Sequence, residues 1–170
     1  MKKISFRNDV LPLKNALYRL ALRITLNREE AEDIVQDTLI KVWNKRESWD
    51  EIDSIEAFSL TICKNLALDH LKRSSRQDSQ IGGAAEEKPD GSSSPYEQLP
   101  HKDRMTLIRR LVDALPEKQR CCMQLRDFEG KPYKEIAEIM EISEEQVKVN
   151  IFRARQAIKQ RFKQFDNYGL

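Results

Sequence analysis

The sequence contains little glycine and few aromatic residues, and it has no alternating runs rich in Val and Thr. Glycine accounts for 5 of 170 residues, and aromatic residues make up 7%. Such a chain is not expected to form strands. The balance of 39% hydrophobic and 34% charged residues suits small helical domains with modest cores. The composition therefore predicts an all-α protein.

Long apolar segments are also missing. The N-terminal residues MKKISFRNDV are partly basic but include no apolar stretch of the kind found in signal peptides. No apolar run approaches the roughly 18 residues that a transmembrane helix requires. We therefore expect a soluble, cytoplasmic protein without membrane insertion. Cys63, Cys121 and Cys122 are odd in number and two are adjacent, so we interpret them as buried thiols in a reducing compartment.

Signatures of catalysis and metal binding are missing as well. His70 and His101 have no metal-like spacing to the cysteines, and there is no glycine-rich phosphate loop or serine in a strand–turn–helix context. We expect no enzymatic activity, no cofactor and no metal. The net charge of +2 is too small to indicate nucleic-acid binding, so any basic surface must arise from local segregation of charge.

A polar segment divides the chain. Residues 74–100 read SSRQDSQIGGAAEEKPDGSSSPYEQLP and contain three of the six prolines and three of the five glycines. A segment with so few large apolar residues cannot bury enough surface to offset its ordering entropy. We therefore predict an N-terminal domain at 1–73, a flexible linker at 74–104 and a C-terminal domain at 105–170.

Apolar residues recur at helical spacing in the N-terminal domain and predict three or four helices. The first helix carries Leu13, Leu17, Leu20, Ala21 and Ile24. The second begins after an N-cap at Asn27 and carries Ala31, Ile34, Val35, Thr38, Leu39 and Val42. The third, capped by Asp53 or Ser54, carries Ile55, Phe58, Ile62, Leu66 and His70.

Two polar surfaces of this domain are candidate binding sites. The second helix has an acidic face, which is either solvated or a docking surface for a basic partner; it contains Glu29, Glu32, Asp33, Gln36 and Asp37. The third helix combines basic groups with nearby aromatic residues, as unpaired bases require for stacking and charge. Trp43 and Phe58 are expected in the core, whereas Trp49, in a loop, is expected to be exposed.

The C-terminal domain has the pattern of a helix-turn-helix. A helix from Pro116 to Phe128 stops at Gly130, the next begins at Pro132 and ends near Met140, and the last opens with a Ser143–Gln146 capping box. The small core of the motif consists of Ile136, Ala137, Met140, Ile142, Val147 and Ile151. A plain αα-hairpin would share this pattern. The last helix favours DNA binding because it carries six basic residues and no acidic residue between Lys148 and Lys163.

Three segments, in this order, resemble the bacterial RNA polymerase sigma factors of the extracytoplasmic-function class. They are AEDIVQDTLIKVW, AFSLTICKNLALDHLKR and LPEKQRCCMQLRDFEGKPYKEIAEIMEISEEQVKVNIFRARQAIK. The resemblance implies that the N-terminal domain, called region 2, binds the clamp helices of the polymerase β′ subunit and melts the −10 promoter element. It implies that the C-terminal domain, called region 4, reads the −35 element and touches the β flap.

The resemblance also implies roles for individual residues. The helix that docks on core polymerase would carry Asp33, Gln36, Asp37 and Lys41. Asn65 matches the position that helps to hold a flipped −10 base, and the remaining −10 contacts would be Trp49, Lys64, His70, Lys72 and Arg73. The −35 contacts would be Glu144, Gln146, Lys148, Asn150, Phe152, Arg153 and Arg155. An anti-sigma factor, where one exists, would cover these surfaces.

Several positions depart from the family pattern. Phe58 occupies the place of a tryptophan in the melting helix. Glu141 stands where the bend usually has glycine, so a left-handed backbone there would cost about 1 kcal/mol or more. Val149 and Asn150 differ from the residues common in the recognition helix, so the promoter sequence is not inferred. Glu144 and Glu145 suit the positive end of a helix dipole, and a carboxylate there can accept a hydrogen bond from cytosine N4.

Two other functions remain as alternatives. A stand-alone helix-turn-helix regulator would leave the acidic helix and the Asn65 helix without a role. A recombinase with a helix-turn-helix tail would need a catalytic domain with strands, of which the sequence shows no sign. We therefore predict a sigma factor that catalyses nothing and that binds core polymerase and promoter DNA.

Overall fold

A computed structural model describes residues 3–80 and 103–169, and only the backbone of residues 76–80, 103 and 166–169. Most of the predicted linker therefore lies outside the described residues. The described part contains seven α-helices and no strands, which confirms the all-α prediction. The helices are α1 (Lys14–Thr25), α2 (Arg28–Asn44), α3 (Ile55–Gln80), α4 (Asp103–Asp113), α5 (Glu117–Met123), α6 (Tyr133–Met140) and α7 (Glu144–Gly169).

Helices α2, α3 and α7 begin at capping residues that the sequence predicted. The Asn27 side-chain oxygen accepts a hydrogen bond from the Glu30 amide at 3.0 Å, and the Ser54 hydroxyl accepts one from the Ala57 amide at 3.0 Å. At the start of α7 the Ser143 hydroxyl accepts from the Gln146 amide (3.1 Å). The Gln146 side chain in turn accepts from the Ser143 amide (3.2 Å), completing the capping box.

Left-handed residues mark the ends of helices in the C-terminal half. Gly130, with φ of 73°, follows the π-helical turn Gln124–Phe128, into which α5 continues. Glu141 ends α6 with φ of 60° and ψ of 44°, so the strained conformation considered from the sequence is present. The Ile142 amide donates to the Ala137 carbonyl at 3.1 Å, which closes the bend of the helix-turn-helix.

Helix α3 is longer than predicted. It continues through Gln80, whereas the predicted domain boundary was at residue 73. Residues 74–80 contain neither glycine nor proline, so no residue there is a strong helix breaker; the first glycine follows at Gly82. Polar composition alone therefore placed the start of the linker too early.

The N-terminal and C-terminal halves share one hydrophobic core. Helices α1, α2 and α3 pack on one another, α6 packs against α3, and α5 packs against α1. The core includes, from both halves, Leu17, Leu20, Ile24, Leu60, Cys63, Ala67, Cys121, Leu125, Ile136, Ile139, Val147 and Ile151. All three cysteines are buried free thiols, as predicted.

The buried face of α3 is different from the predicted one. Residues Ala57, Leu60, Cys63 and Ala67 are buried, whereas the predicted stripe that begins at Ile55 is only half-buried. The physical reason is that α3 has neighbours on several sides. Ile55, Phe58 and Ile62 pack against a separate cluster built around Val10, Val42 and Trp49, while the opposite side faces α1 and α6.

Candidate polymerase and nucleic-acid interfaces

The acidic face of α2 is fully accessible. Asp33, Gln36, Asp37 and Lys41 are all exposed, whereas Ile34, Val35 and Thr38 on the other side of the helix are buried. Because α2 is held against both α1 and α3, these side chains project from a fixed backbone. A rigid row of carboxylates suits pairing with Arg and Lys of a protein partner.

Two exposed apolar residues extend this face. Ile40 is 57% exposed and Trp43 is 43% exposed. The position of Trp43 contradicts the prediction that it belongs to the core. Its ring meets Phe6 edge-on at 5.4 Å between centroids, and the Arg46 guanidinium lies 4.3 Å above it. Large exposed apolar groups beside charges are typical of a protein-binding surface.

The prediction that Trp49 is exposed was wrong. Only 7% of Trp49 is accessible, and its indole N–H donates to the Val42 carbonyl at 3.1 Å. The 3₁₀ turn Arg46–Glu51 folds this residue back over the end of α2, where it packs with Val10 and Val42. In this structure its ring is not available to stack on a base. Periodicity could not show this, because the residue lies outside any regular helix.

One face of α3 is exposed and polar. Asn65, Lys72 and Arg73 are exposed, and His70 is partly exposed with Nε2 3.3 Å from the Glu30 carboxylate. Asn65, Asp69, Lys72 and Arg73 recur at helical spacing, and Arg73 contacts Asp69 at 3.2 Å. The structure thus brings three of the six predicted −10 residues, Asn65, Lys72 and Arg73, to one accessible side of the helix, whereas His70 lies on another side, against Glu30 of α2.

Lys64 does not join this face. Its side chain is buried against the C-terminal half, with Nζ 3.0 Å from a carboxylate oxygen of Glu141. The assignment of Lys64 to an exposed strand-binding surface is therefore incorrect for this conformation. The physical reason is that α6 packs against α3 and covers the position.

The first turns of α7 present the predicted −35 residues. Glu144, Gln146, Lys148, Arg153 and Arg155 are exposed, Phe152 is 62% exposed, and Asn150 is partly exposed. One of these side chains already has a partner: the side-chain amide of Asn150 donates to the backbone carbonyl of Gln146 at 2.8 Å. Lys148, Phe152 and Arg155 are four and three residues apart, so they lie on one face of α7. This arrangement can supply two cations and an apolar group to one groove.

Asp127 and Tyr133 fix the basic residues of this face, and sequence reasoning missed both. The Arg155 guanidinium donates to Asp127 through Nε (3.1 Å) and Nη2 (2.5 Å), and this hydrogen bonding raises the pKa of Arg155. The Tyr133 ring is close to two cations, with Arg126 4.2 Å and Lys148 5.6 Å from its centroid. No local pattern reveals these contacts, since they form only when α7 packs beside α6 and the π-helical turn.

The described residues contain neither a candidate metal site nor a candidate membrane span. Among the described side chains, no cluster of His, Cys, Asp or Glu is arranged to hold a metal ion. Within the described ranges, none of the helices is both long enough and apolar enough to cross a membrane.

Comparison with known proteins gives matches to both halves of the chain. The family model "Sigma-70 region 2" matches residues 10–77, and the model "Sigma-70, region 4" matches residues 105–158. The chain is 27% identical over 164 residues to RNA polymerase sigma-H factor of Pseudomonas aeruginosa, covering 92% of this chain and 85% of that protein. It is 30% identical over 148 residues to ECF RNA polymerase sigma factor SigL of Mycobacterium tuberculosis, covering 84% and 80%.

A solved structure has the same arrangement of helices. The sigma factor RpoE from Bartonella quintana, in complex with the anti-sigma factor NepR, matches with a TM-score of 0.76 and 25% identity, covering 93% of this chain and 96% of that one. With both regions matched in order, the chain belongs to the sigma-70 family of RNA polymerase sigma factors and, within it, to the extracytoplasmic-function class. Its function is promoter-specific initiation of transcription.

Proposed function

We propose that this sigma factor divides promoter recognition among three helices: α2 docks on core polymerase, α3 captures the melted −10 strand, and α7 reads the −35 duplex. The observation that carries the proposal is that regions 2 and 4 both occur, in order, and that each of these helices exposes a chemically different face. Asp33, Gln36, Asp37 and Lys41 would meet the β′ clamp helices, with Ile40 and Trp43 adding apolar contact area.

Asn65 is the residue that we assign to base capture. Extruding a base costs a few kcal/mol, which a pocket and a charged surface must recover. The exposed amide of Asn65 offers both a donor and an acceptor to a base edge, while Lys72 and Arg73 on the same face can contact phosphates. His70 is partly exposed on another side of α3, beside the Glu30 carboxylate. Trp49 is left out of this surface because its indole is buried.

Helix α7 would enter the major groove by its N-terminal turns. Lys148, Arg153 and Arg155 would contact phosphates, and the exposed Phe152 ring suits a thymine methyl group. Glu144 lies in the first turn, where a carboxylate stabilises the helix dipole and can accept from cytosine N4. Gln146 and Asn150 supply amides for base edges. We further propose that region 4 touches the β flap of core polymerase and that an anti-sigma factor would bind over these faces. The similar RpoE structure from Bartonella quintana is a complex with the anti-sigma factor NepR.

Run-off transcription tests this function directly. Purified core polymerase, the protein and a pool of random promoters should give transcripts that share sequence elements upstream of their starts. Lys148→Ala should weaken binding of the selected −35 duplex and lower its salt dependence by about one phosphate contact. Lys118→Ala is a matched control because Lys118 is an exposed lysine on α5. If core polymerase yields no transcripts while the protein alone binds DNA tightly and specifically, the protein would instead be a stand-alone helix-turn-helix regulator.

A further inference from the structure

The contact between the two halves has a buried apolar centre. Leu20 and Leu60 from the N-terminal half and Leu125 and Ile136 from the C-terminal half are each no more than 1% exposed within the same core. Separating the halves would expose this apolar surface to water, which is unfavourable. The closed arrangement is therefore a defined state of the chain.

Ion pairs surround this apolar contact, and each joins one residue of each half. They are Arg19–Glu129, Arg23–Asp113, Lys131–Glu56 and Lys64–Glu141. The Arg19 pair is bidentate, with distances of 2.6 and 2.9 Å. The Arg120 guanidinium also donates to the Ile24 carbonyl across the interface at 3.3 Å. Complementary charges of this kind favour one register between the halves.

The Lys64–Glu141 pair differs from the others in its burial. The Lys64 side chain is only 4% exposed, whereas that of Glu141 is 63% exposed and covers it from the solvent side. A buried ammonium group without a counter-ion is strongly unfavourable. Glu141 is therefore the group that allows Lys64 to remain buried. Lys64 cannot contact a phosphate until it leaves this carboxylate.

The backbone of Glu141 supports the same conclusion. It is left-handed, with φ of 60°, in the bend where glycine would be unstrained. The bend therefore has a strained backbone at the residue whose carboxylate reaches Lys64 on the other half of the protein. The ion pair offsets that strain only while the halves are closed.

We propose that Glu141 is a latch: in the closed form it masks Lys64 from nucleic acid, so that single-stranded DNA and the helix-turn-helix bend compete for the same lysine. This inference rests on the proposed role of α3 in binding the −10 strand. A ligand that binds the open form better shifts the equilibrium toward it. Separation of the halves, by core polymerase or by DNA, thereby completes the strand-binding surface.

The native buried thiols can report opening, so no cysteine has to be introduced. Cys121 lies in the shared core, near enough to Lys64 for that ammonium to affect its thiol. Cys63 is held inside the N-terminal half, where its thiol donates to the Leu17 carbonyl at 3.3 Å. Maleimide modification, mapped by mass spectrometry, should show Cys121 reacting about fivefold faster in Glu141→Gln than in the unmodified protein, with little change at Cys63.

Two further variants separate opening from unfolding. Glu138→Gln removes an exposed acid one turn earlier in α6 and should leave Cys121 labelling unchanged. Glu141→Gly removes the carboxylate but also relieves the left-handed strain, so the bend is no less stable. Faster Cys121 labelling in Glu141→Gly therefore reports loss of the latch. Labelling that stays at the level of the unmodified protein in both Glu141 variants overturns the proposal.

Strand binding is measured with a fluorescent pool of random single-stranded DNA. Glu141→Gln should bind it about fivefold more tightly than Glu138→Gln, and adding Lys64→Ala should abolish that gain. If Cys121 labelling rises but Lys64→Ala has no effect on binding, the pair is only a structural contact and the latch proposal fails. If no variant binds the pool, even with core polymerase present, the proposed −10 role of α3 fails instead.

Discussion

Alkaline pH should destabilise the protein through its buried thiols. Burial raises the pKa of Cys63 and of Cys121 to about 12, from an ordinary value of 9.0. Both pKa values are higher in the folded chain than in the unfolded chain. The stability that these protonated thiols contribute is therefore fully present below about pH 9 and is lost as the pH rises toward 12.

The size of the loss follows from proton linkage. At about pH 10 each thiol is mostly ionised in the unfolded chain but still protonated in the folded chain, which lowers the free energy of unfolding by about 1.4 kcal/mol per thiol. Together, Cys63 and Cys121 lower the free energy of unfolding by about 3 kcal/mol. Because domains are stable by about 5–15 kcal/mol, this is a large fraction of the total.

Urea unfolding, followed by far-UV circular dichroism under reducing conditions, measures this effect between about pH 7 and about pH 10. The control is the double variant Cys63→Ala, Cys121→Ala, which shares every other titrating group. It should begin less stable because of the cavities, and the gap to the unmodified protein should shrink on the order of 3 kcal/mol by about pH 10. A gap that stays constant across this range would refute the reasoning.

Other outcomes test the interfaces and the bends. Asp33→Asn with Asp37→Asn should weaken core-polymerase binding more than free-DNA binding in a fluorescence titration; an unchanged core affinity would contradict the docking role. Asn65→Ala should impair open-complex formation, followed by permanganate footprinting, more than closed-complex formation, and equal losses would argue against a base pocket. Gly130→Ala should lower the free energy of unfolding by about 1 kcal/mol, because no atom within 4 Å meets an added Cβ and only the φ of 73° opposes it. A larger loss in thermal or urea melts would indicate a steric conflict instead.

Local signals in the sequence predicted the helix boundaries well. The caps at Asn27 and Ser143 and the stop at Gly130 depend on hydrogen bonds between neighbours along the chain, so the residue types are sufficient to indicate them. The left-handed conformation at Glu141 was considered from the family resemblance, because the bend usually has glycine there, and the structure contains it. Boundaries were less accurate at residues 74–80, where polar composition suggested a linker and the backbone remains helical.

Packing between distant elements could not be predicted from periodicity. Trp43 lies at the end of an apolar helical stripe and Trp49 lies in the charged segment that follows, yet the 3₁₀ turn buries Trp49 and Trp43 stays exposed. Likewise, the hydrophobic stripe of α3 gave no sign that Lys64 would be covered by α6. Contacts between residues 77 positions apart in sequence, such as Lys64 with Glu141, depend on how the two halves meet. A stripe shows that a face is buried but not which neighbour buries it.

The residues that hold the two halves together are different from those assigned to contact DNA bases, and this difference matters for engineering promoter specificity. The ion pairs at Arg19, Arg23 and Lys131 use none of the α7 residues assigned to base contacts. Substitutions at Asn150 or Phe152 should therefore change which promoter sequence the protein binds, while the fraction of molecules in the closed form stays the same. A chimera that exchanges the entire C-terminal half would replace Glu129, Asp113 and Glu141 together. Such hybrids would differ in how readily they open as well as in the sequence they read, and their transcriptional output would mix the two.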